Sequence, residues 1–276
     1  MKKLITIACA TLLFTGCATT KSIQYPISGK KTSLSVSSEQ LSSMTESGAG
    51  DYFVKDSQIL VGDSSNASSS QVSGMFGLIG VGVAIAIDKN ANSSAIQKSS
   101  LNQPIKFDKL TNQKVMDMLT LNRADPQLQL LALNQVSDVK IVPYSRLSFR
   151  EKPIVKAHFG LKTEFKNSAD NDAATKRMYH YVSQNRVVLN EWDAENNKLF
   201  NQKADQAFAA LSQVFTLDLQ HQLNLTALDE NKQKNCKTNP DTALVYFIQS
   251  PQDLCVGVLK NTKGEVLQNN VFIVEQ

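Results

Sequence analysis

The chain has 276 residues, with 29 Lys and Arg against 25 Asp and Glu and a formal net charge of +4. A hydrophobic share of 42% is that of a globular protein, and the length suffices for one large domain or two small ones. The small charge excess argues neither for a nucleic-acid partner nor for an acidic one.

Met1-Lys2-Lys3 is a short basic start, followed by eleven residues, Leu4 to Phe14, that are apolar except for Thr6 and Thr11. That run suits a cleavable signal peptide and falls short of the about 20 residues a spanning helix needs. Leu13-Phe14-Thr15-Gly16-Cys17 resembles the lipobox of bacterial prolipoproteins, departing from its commonest form at Phe14. The resemblance implies a diacylglycerol on the Cys17 thiol and an acylated N-terminus there after cleavage. The alternative is an ordinary secretory signal with a chance cysteine, as Cys9 is. Two or three acyl chains make a lasting anchor at about 0.8 kcal/mol per buried CH₂, where one would not. Ala18 stands where, in the enterobacterial lipoproteins this start resembles, an Asp signals retention in the inner membrane; the resemblance thus implies the outer membrane, with the body facing the periplasm. Loss of residues 1–16, which hold Lys2, Lys3 and no acid, leaves 260 residues and a net charge of +2.

Residues 17–50 form a lipidated start and a tether rich in Ser, Thr, Gly and Lys. Within it Ser33 to Val36 alternates briefly, as an edge strand would. Tyr52 to Val54 and Gln58 to Val61 are β-like, and 63–73 is a Ser-rich loop. Gly74 to Ile87 is then fourteen residues without a charge, with small residues at 74, 77, 80, 82, 84 and 86. As a helix it would be about 21 Å long, too short for a hydrocarbon core of about 30 Å. Three readings stay open: a helix buried in the chain's own core, a helix dipping into the bilayer surface or packing on a partner, and a buried strand pair. Gly74, Phe76, Gly77, Leu78, Gly80 and Gly82 are the candidate membrane or partner contacts, through which an envelope protein or a second copy would pack.

The pattern from 102 to 221 is that of an α+β domain. Lys109 to Leu121 is expected to be a helix, and Asp125-Pro126 to start a short one through Leu133. Val139 to Val142 and Leu147 to Phe149 are strand-like. Val155 to Phe165 alternates cleanly, with Val155, Ala157, Phe159, Leu161, Thr163 and Phe165 on one face. With Met178 to Leu189 it predicts an antiparallel hairpin, one face to the core and one to water. Trp192 to Gln220 carries a broad apolar stripe through Leu199, Phe200, Ala207, Phe208, Leu211, Phe215 and Leu219. Asn190 or Asp193 is its expected N-cap. Residues 222–276 add strands at Ala243 to Ile248, Leu254 to Leu259 and Val266 to Val274, with a turn at Thr262-Lys263-Gly264. The expected fold is α+β: a mainly antiparallel sheet, the long helix packed on it, and a small β-rich C-terminal element.

Cys236 and Cys255 are the cysteines left in the folded part. In an oxidising compartment they read as a disulfide worth roughly 3 kcal/mol in the chain-entropy model; the alternative is a redox or metal pair, against which stand the lack of a CxxC partner and of any His between them. His158 and His180 fall on the two arms of the hairpin and could pair across strands, while His221 lies apart, so zinc would lack a third ligand; two histidines on the solvated face are the plainer reading. Chain-wide, no GxSxG, HExxH, CxxC, P-loop or GxGxxG occurs. Ser28-Gly29-Lys30-Lys31 matches SxxK by chance in the tether, and Gly77 to Gly82 has the wrong glycine order for a dinucleotide. Asp170-Asn171-Asp172 lacks the Gly and distal Glu of a calcium loop. Trp192 reads as a packing anchor, and Lys156, Lys162 and Lys166 as a solvated face that could also meet anionic lipid or glycan. No catalytic residue, metal or cofactor is expected.

The lipobox, the apolar run from Gly77-Leu78-Ile79-Gly80 to Ile87-Asp88, an αβ body and a helix opening Trp192-x-x-x-Asn196 together resemble a group of proteobacterial envelope lipoproteins. The resemblance covers about residues 60–220 besides the lipobox, and implies no activity. The expected function is therefore a non-enzymatic interaction, assembly or accessory role. A lipoprotein that binds lipid or glycan or assists a transport complex is the alternative, and an envelope hydrolase the third.

Overall fold

The computed structural model describes residues 31–41, 52–62, 93–121, 127–151, 153–166, 175–238, 244–251 and 254–276. Cys17, Gly74 to Ile87, Asp170 to Asp172 and Asp125-Pro126 lie outside them. Eleven strands form one mixed sheet: β1 Thr32–Val36, β2 Tyr52–Phe53, β3 Ile59–Gly62, β4 Leu128–Leu130, β5 Val139–Glu151, β6 Ile154–Phe165, β7 Thr175–Val182, β8 Val187–Val188, β9 Tyr246–Phe247, β10 Val256–Lys260 and β11 Val266–Val274. The main path runs β2-β3-β5-β6-β7-β11-β10-β9; β1 lies between β4 and β5, and β8 pairs with β6. Helices α1 Asp108–Leu121, α2 Leu189–Leu219 and α3 Glu230–Asn235 accompany it, and residues 93–97 are a further short helical stretch. Among the described residues no helix is long and apolar enough to cross a membrane.

The fold is α+β, with α2 packed on the sheet as expected. The sheet has more parallel pairing than a hairpin reading provides. β11 runs parallel to β7, and β1 and β3 run parallel to β5. Parallel neighbours need a crossover, and α2 is the crossover between β7 and the C-terminal strands. The sheet therefore continues past residue 222 without a break.

Three local expectations are corrected. Leu128–Leu130 is a strand rather than helix, because β1 offers it a parallel partner. For the same reason β1 is internal rather than an edge. Val139 to Phe149, expected as two strands, is one, running through Pro143. Ser37 donates its N–H to Ile141 O and Ser145 donates to Gln58 O. The odd residues of β5 thus turn their peptide groups toward β1 and β3. Pro143, which has no N–H, falls in the gap between those two partners.

The core lies between the odd face of β6 and α2. Phe107, Phe159, Phe200 and Phe208 form one cluster with centroids 5.0 to 6.2 Å apart. Trp192 is fully buried, and its indole Nε1–H donates to Val155 O at 2.8 Å. The even face of β6 does not meet water as expected: Lys156, Gly160 and Lys162 are buried. The central strands are covered on this side too. Leu41, Val142 and Tyr144 cluster at one end, and Val182, Val245, Phe247, Phe272 and Val274 at the other. Lys162 keeps its charge matched at Glu164, 2.6 Å away. Cys236 and Cys255 are joined by a disulfide.

Candidate functional site

Among the described residues, the most irregular backbone sits at the start of α2. Ala194 is extended, and Glu195, Asn196 and Asn197 follow with φ of +49°, +56° and +62°. Three consecutive L-residues in the left-handed region cost about 1–2 kcal/mol each, Asn the least. The break replaces the N-cap expected of Asp193. Its carboxylate instead reaches across to Ser100, whose N–H donates to Asp193 Oδ1 at 2.5 Å. The Ser100 hydroxyl lies against both Asp193 Oδ1 and Asn197 Oδ1. Ser100 opens the 3₁₀ turn Ser100–Asn102, which Ser99 caps through its side chain. Trp192 on one side of the break and Phe200 on the other are both buried, so the left-handed turn is held between two aromatic anchors.

Beside this turn lies an open groove of about 470 Å³. Ala95, Pro153, Val188 and Leu189 form its apolar wall, and Lys98, Ser99, Asn190 and Asp193 its polar rim. The Asp193 carboxylate is engaged by Ser100, so its role in the groove is structural. What the groove offers is an apolar seat flanked by a lysine ammonium and an amide, next to a strained turn that does not itself line it. Such strain collects where a fold is shaped for binding.

A second, more polar cleft of about 220 Å³ is lined by Ser35, Ser37, Glu39, Asn134, Gln135, Val136, Ser137, Lys140 and Lys166. Asn134 takes φ of +62° there, and its Oδ1 accepts the Ser38 N–H at 2.8 Å. Ser35 Oγ donates to Gln135 O at 2.6 Å, Ser137 Oγ donates to Val139 O at 2.8 Å, and Lys140 meets Glu39 at 2.5 Å.

On the second sheet face a lateral row crosses four strands: Tyr144, Gly160, His180 and Phe272 are register partners. At Gly160 a Cβ would stand 2.4 Å from Tyr144 Cζ, so any other residue there displaces the ring. The Tyr144 ring therefore crosses β6 and reaches His180. Its hydroxyl donates to Nδ1 at 3.2 Å, while Nε2–H donates to Asn270 Oδ1 at 3.0 Å. The two bonds fit the neutral tautomer protonated at Nε2. Burial, with smaller contributions from His158 and Arg146, lowers the His180 pKa to about 4. His158 is not opposite His180, as a histidine pair would require. It faces Val182, and His180 faces Gly160.

A last ionic group lies inside the core. Arg177 and Tyr179, on the inner face of β7, both bond Asp218 Oδ2 on α2, Tyr179 at 2.5 Å. All three are buried. Desolvation holds the Asp218 carboxyl above the usual range, with Arg177 pulling the other way. The helical stripe already carried a signal for this group, since 211, 215 and 218 share one face. Among the described residues no set of three or more His, Cys, Asp or Glu gathers that could hold a metal ion. The groove residues had only a weak signal: Glu195-Asn196-Asn197, a turn-forming run inside an otherwise helical stretch. In comparison with known proteins, the chain matches no family model, no curated protein and no solved structure.

Proposed function

We propose that this chain is a lipoprotein anchored through Cys17 to the outer membrane, facing the periplasm, that binds an envelope partner and catalyses no reaction. The observation that carries the binding role is the groove lined by an apolar wall and a Lys98–Asn190 rim, next to the strained turn Glu195–Asn197. The lipobox carries the anchoring. The polar cleft between Ser35 and Lys166 favours a second reading, a hydroxyl-rich ligand such as a glycan, because serine hydroxyls, amides and lysines line it together.

The test is photo-cross-linking in intact cells. A reactive residue at Lys98 or Asn190 should give one defined adduct that Ala95→Arg abolishes. The same residue at Lys263, on the exposed β10–β11 turn, should give none. Equal labelling at all three positions, or none at Lys98 and Asn190, rejects the groove. Cys17→Ser should release the protein from the membrane fraction.

A further inference from the structure

The last strand of the sheet, β9, is closed by an unusual partner. On its inner side it pairs with β10. On its outer side the segment 227–233 stands in for a strand. Leu228 bridges Ile248, Gln249 N–H donates to Ala227 O at 2.9 Å, and Asp229 N–H donates to Phe247 O at 3.0 Å. The Gln233 side chain then supplies what a peptide group would. Its Oε1 accepts the Phe247 N–H at 3.1 Å, and its Nε2 donates to Val245 O at 3.2 Å. Lys232 adds bonds from Nζ to Ser250 Oγ at 3.0 Å and Leu254 O at 2.9 Å.

Yet α3 itself, residues Glu230–Asn235, buries none of its side chains. Polar bonds hold residues 227–235, and the Cys236–Cys255 disulfide at the end of α3, buried in the apolar cluster below, fastens them to the start of β10. Beneath lie Val245, Phe247 and Phe272, which cluster with Val182, Leu259 and Val274 of the sheet and with the two bridge cysteines. We infer that Cys236–Cys255 is a redox latch on this sheet edge. When closed, it keeps Gln233 on Phe247; when opened, the 227–236 segment leaves and β9 becomes a pairing edge. Opening needs a dithiol. One of its thiolates attacks a bridge sulfur, the second thiol resolves the mixed disulfide, and two electrons and two protons pass to the cysteines. The freed Phe247 N–H and Val245 C=O are the groups with which an added strand would pair.

Hydrogen exchange on the full chain tests this, comparing the oxidised protein with protein reduced by dithiothreitol and alkylated. The Phe247 amide should exchange about a hundredfold faster after reduction. Peptides from β6 and from residues 199–219 should keep their rates. Gln233→Ala with the bridge intact should accelerate Phe247 by about tenfold, the loss of its one capping amide. An unchanged Phe247 in either sample overturns the inference. So does equal acceleration of every peptide on reduction, which would make the bridge a support of the whole fold.

Discussion

A methyl group at position 160 has nowhere to go. It would stand 2.4 Å from Tyr144 Cζ and 2.5 Å from Tyr144 Oη. The Tyr144 ring would have to lift off β6, taking its hydroxyl away from His180 Nδ1. Gly160→Ala should therefore cost about 1–3 kcal/mol in urea unfolding, the range of overpacked sites. The same exchange in a Tyr144→Ala background should cost less than half as much, because the clashing ring is gone. Equal costs in the two backgrounds would show that the glycine serves the backbone rather than the ring. In sequence, Gly160 is only an interruption in an alternating strand, and nothing local names its partner. The partner is sixteen residues away on β5, and the β5–β6 register alone makes them neighbours.

At the scale of elements, α2 and β7 are joined by a charge as well as by apolar packing. The stripe of Phe200, Phe208, Leu211 and Phe215 fixes which face of α2 meets the sheet, and it was plain in the sequence. Those residues tolerate sliding better than an ion pair does. Asp218, one turn beyond Phe215, meets Arg177 and Tyr179 at one register only. Asp218→Leu takes the carboxylate away from the buried Arg177 guanidinium and should destabilise the protein by about 3–5 kcal/mol. Arg177→Met combined with Asp218→Leu should lose less than Asp218→Leu alone, read by urea midpoints on the three variants. A double variant as unstable as the single would mean that Tyr179, not the guanidinium, is the group left stranded. The break at Glu195–Asn197 was hidden by the same stripe. Its periodicity begins in earnest at Phe200, whereas Trp192 is buried through a separate contact with β6.

Across the whole molecule, the strongly alternating or strongly helical stretches were legible, since burial on one face writes a period into the sequence. The sheet order was not, because β11 joins β7 and β1 slots between β4 and β5 through pairings that span more than ninety residues. Burial of the second face was hidden for the same reason: Lys156 and Lys162 read as solvated until both sides of the sheet are covered. That burial gives the fold an acid response in two stages. His180 is neutral in the folded chain, its pKa near 4 against an ordinary 6.5. An unfolded chain takes up the proton first. The stability that His180 leaves intact above pH 6.5 is thus lost progressively as pH falls toward 4, about 3 kcal/mol in all. Glu275 acts lower. Burial works to raise its carboxyl, but Lys203 at 2.6 Å, the Gln184 N–H and the Ser183 hydroxyl hold it below the ordinary 4.5. Its contribution is present above 4.5 and is lost only as pH falls through that depressed value. Urea midpoints measured from pH 7 to pH 3 should fall in both windows. His180→Gln should flatten the upper decline and keep the lower, and Glu275→Gln should do the reverse. An upper decline that persists unchanged in His180→Gln would assign the first stage to another group.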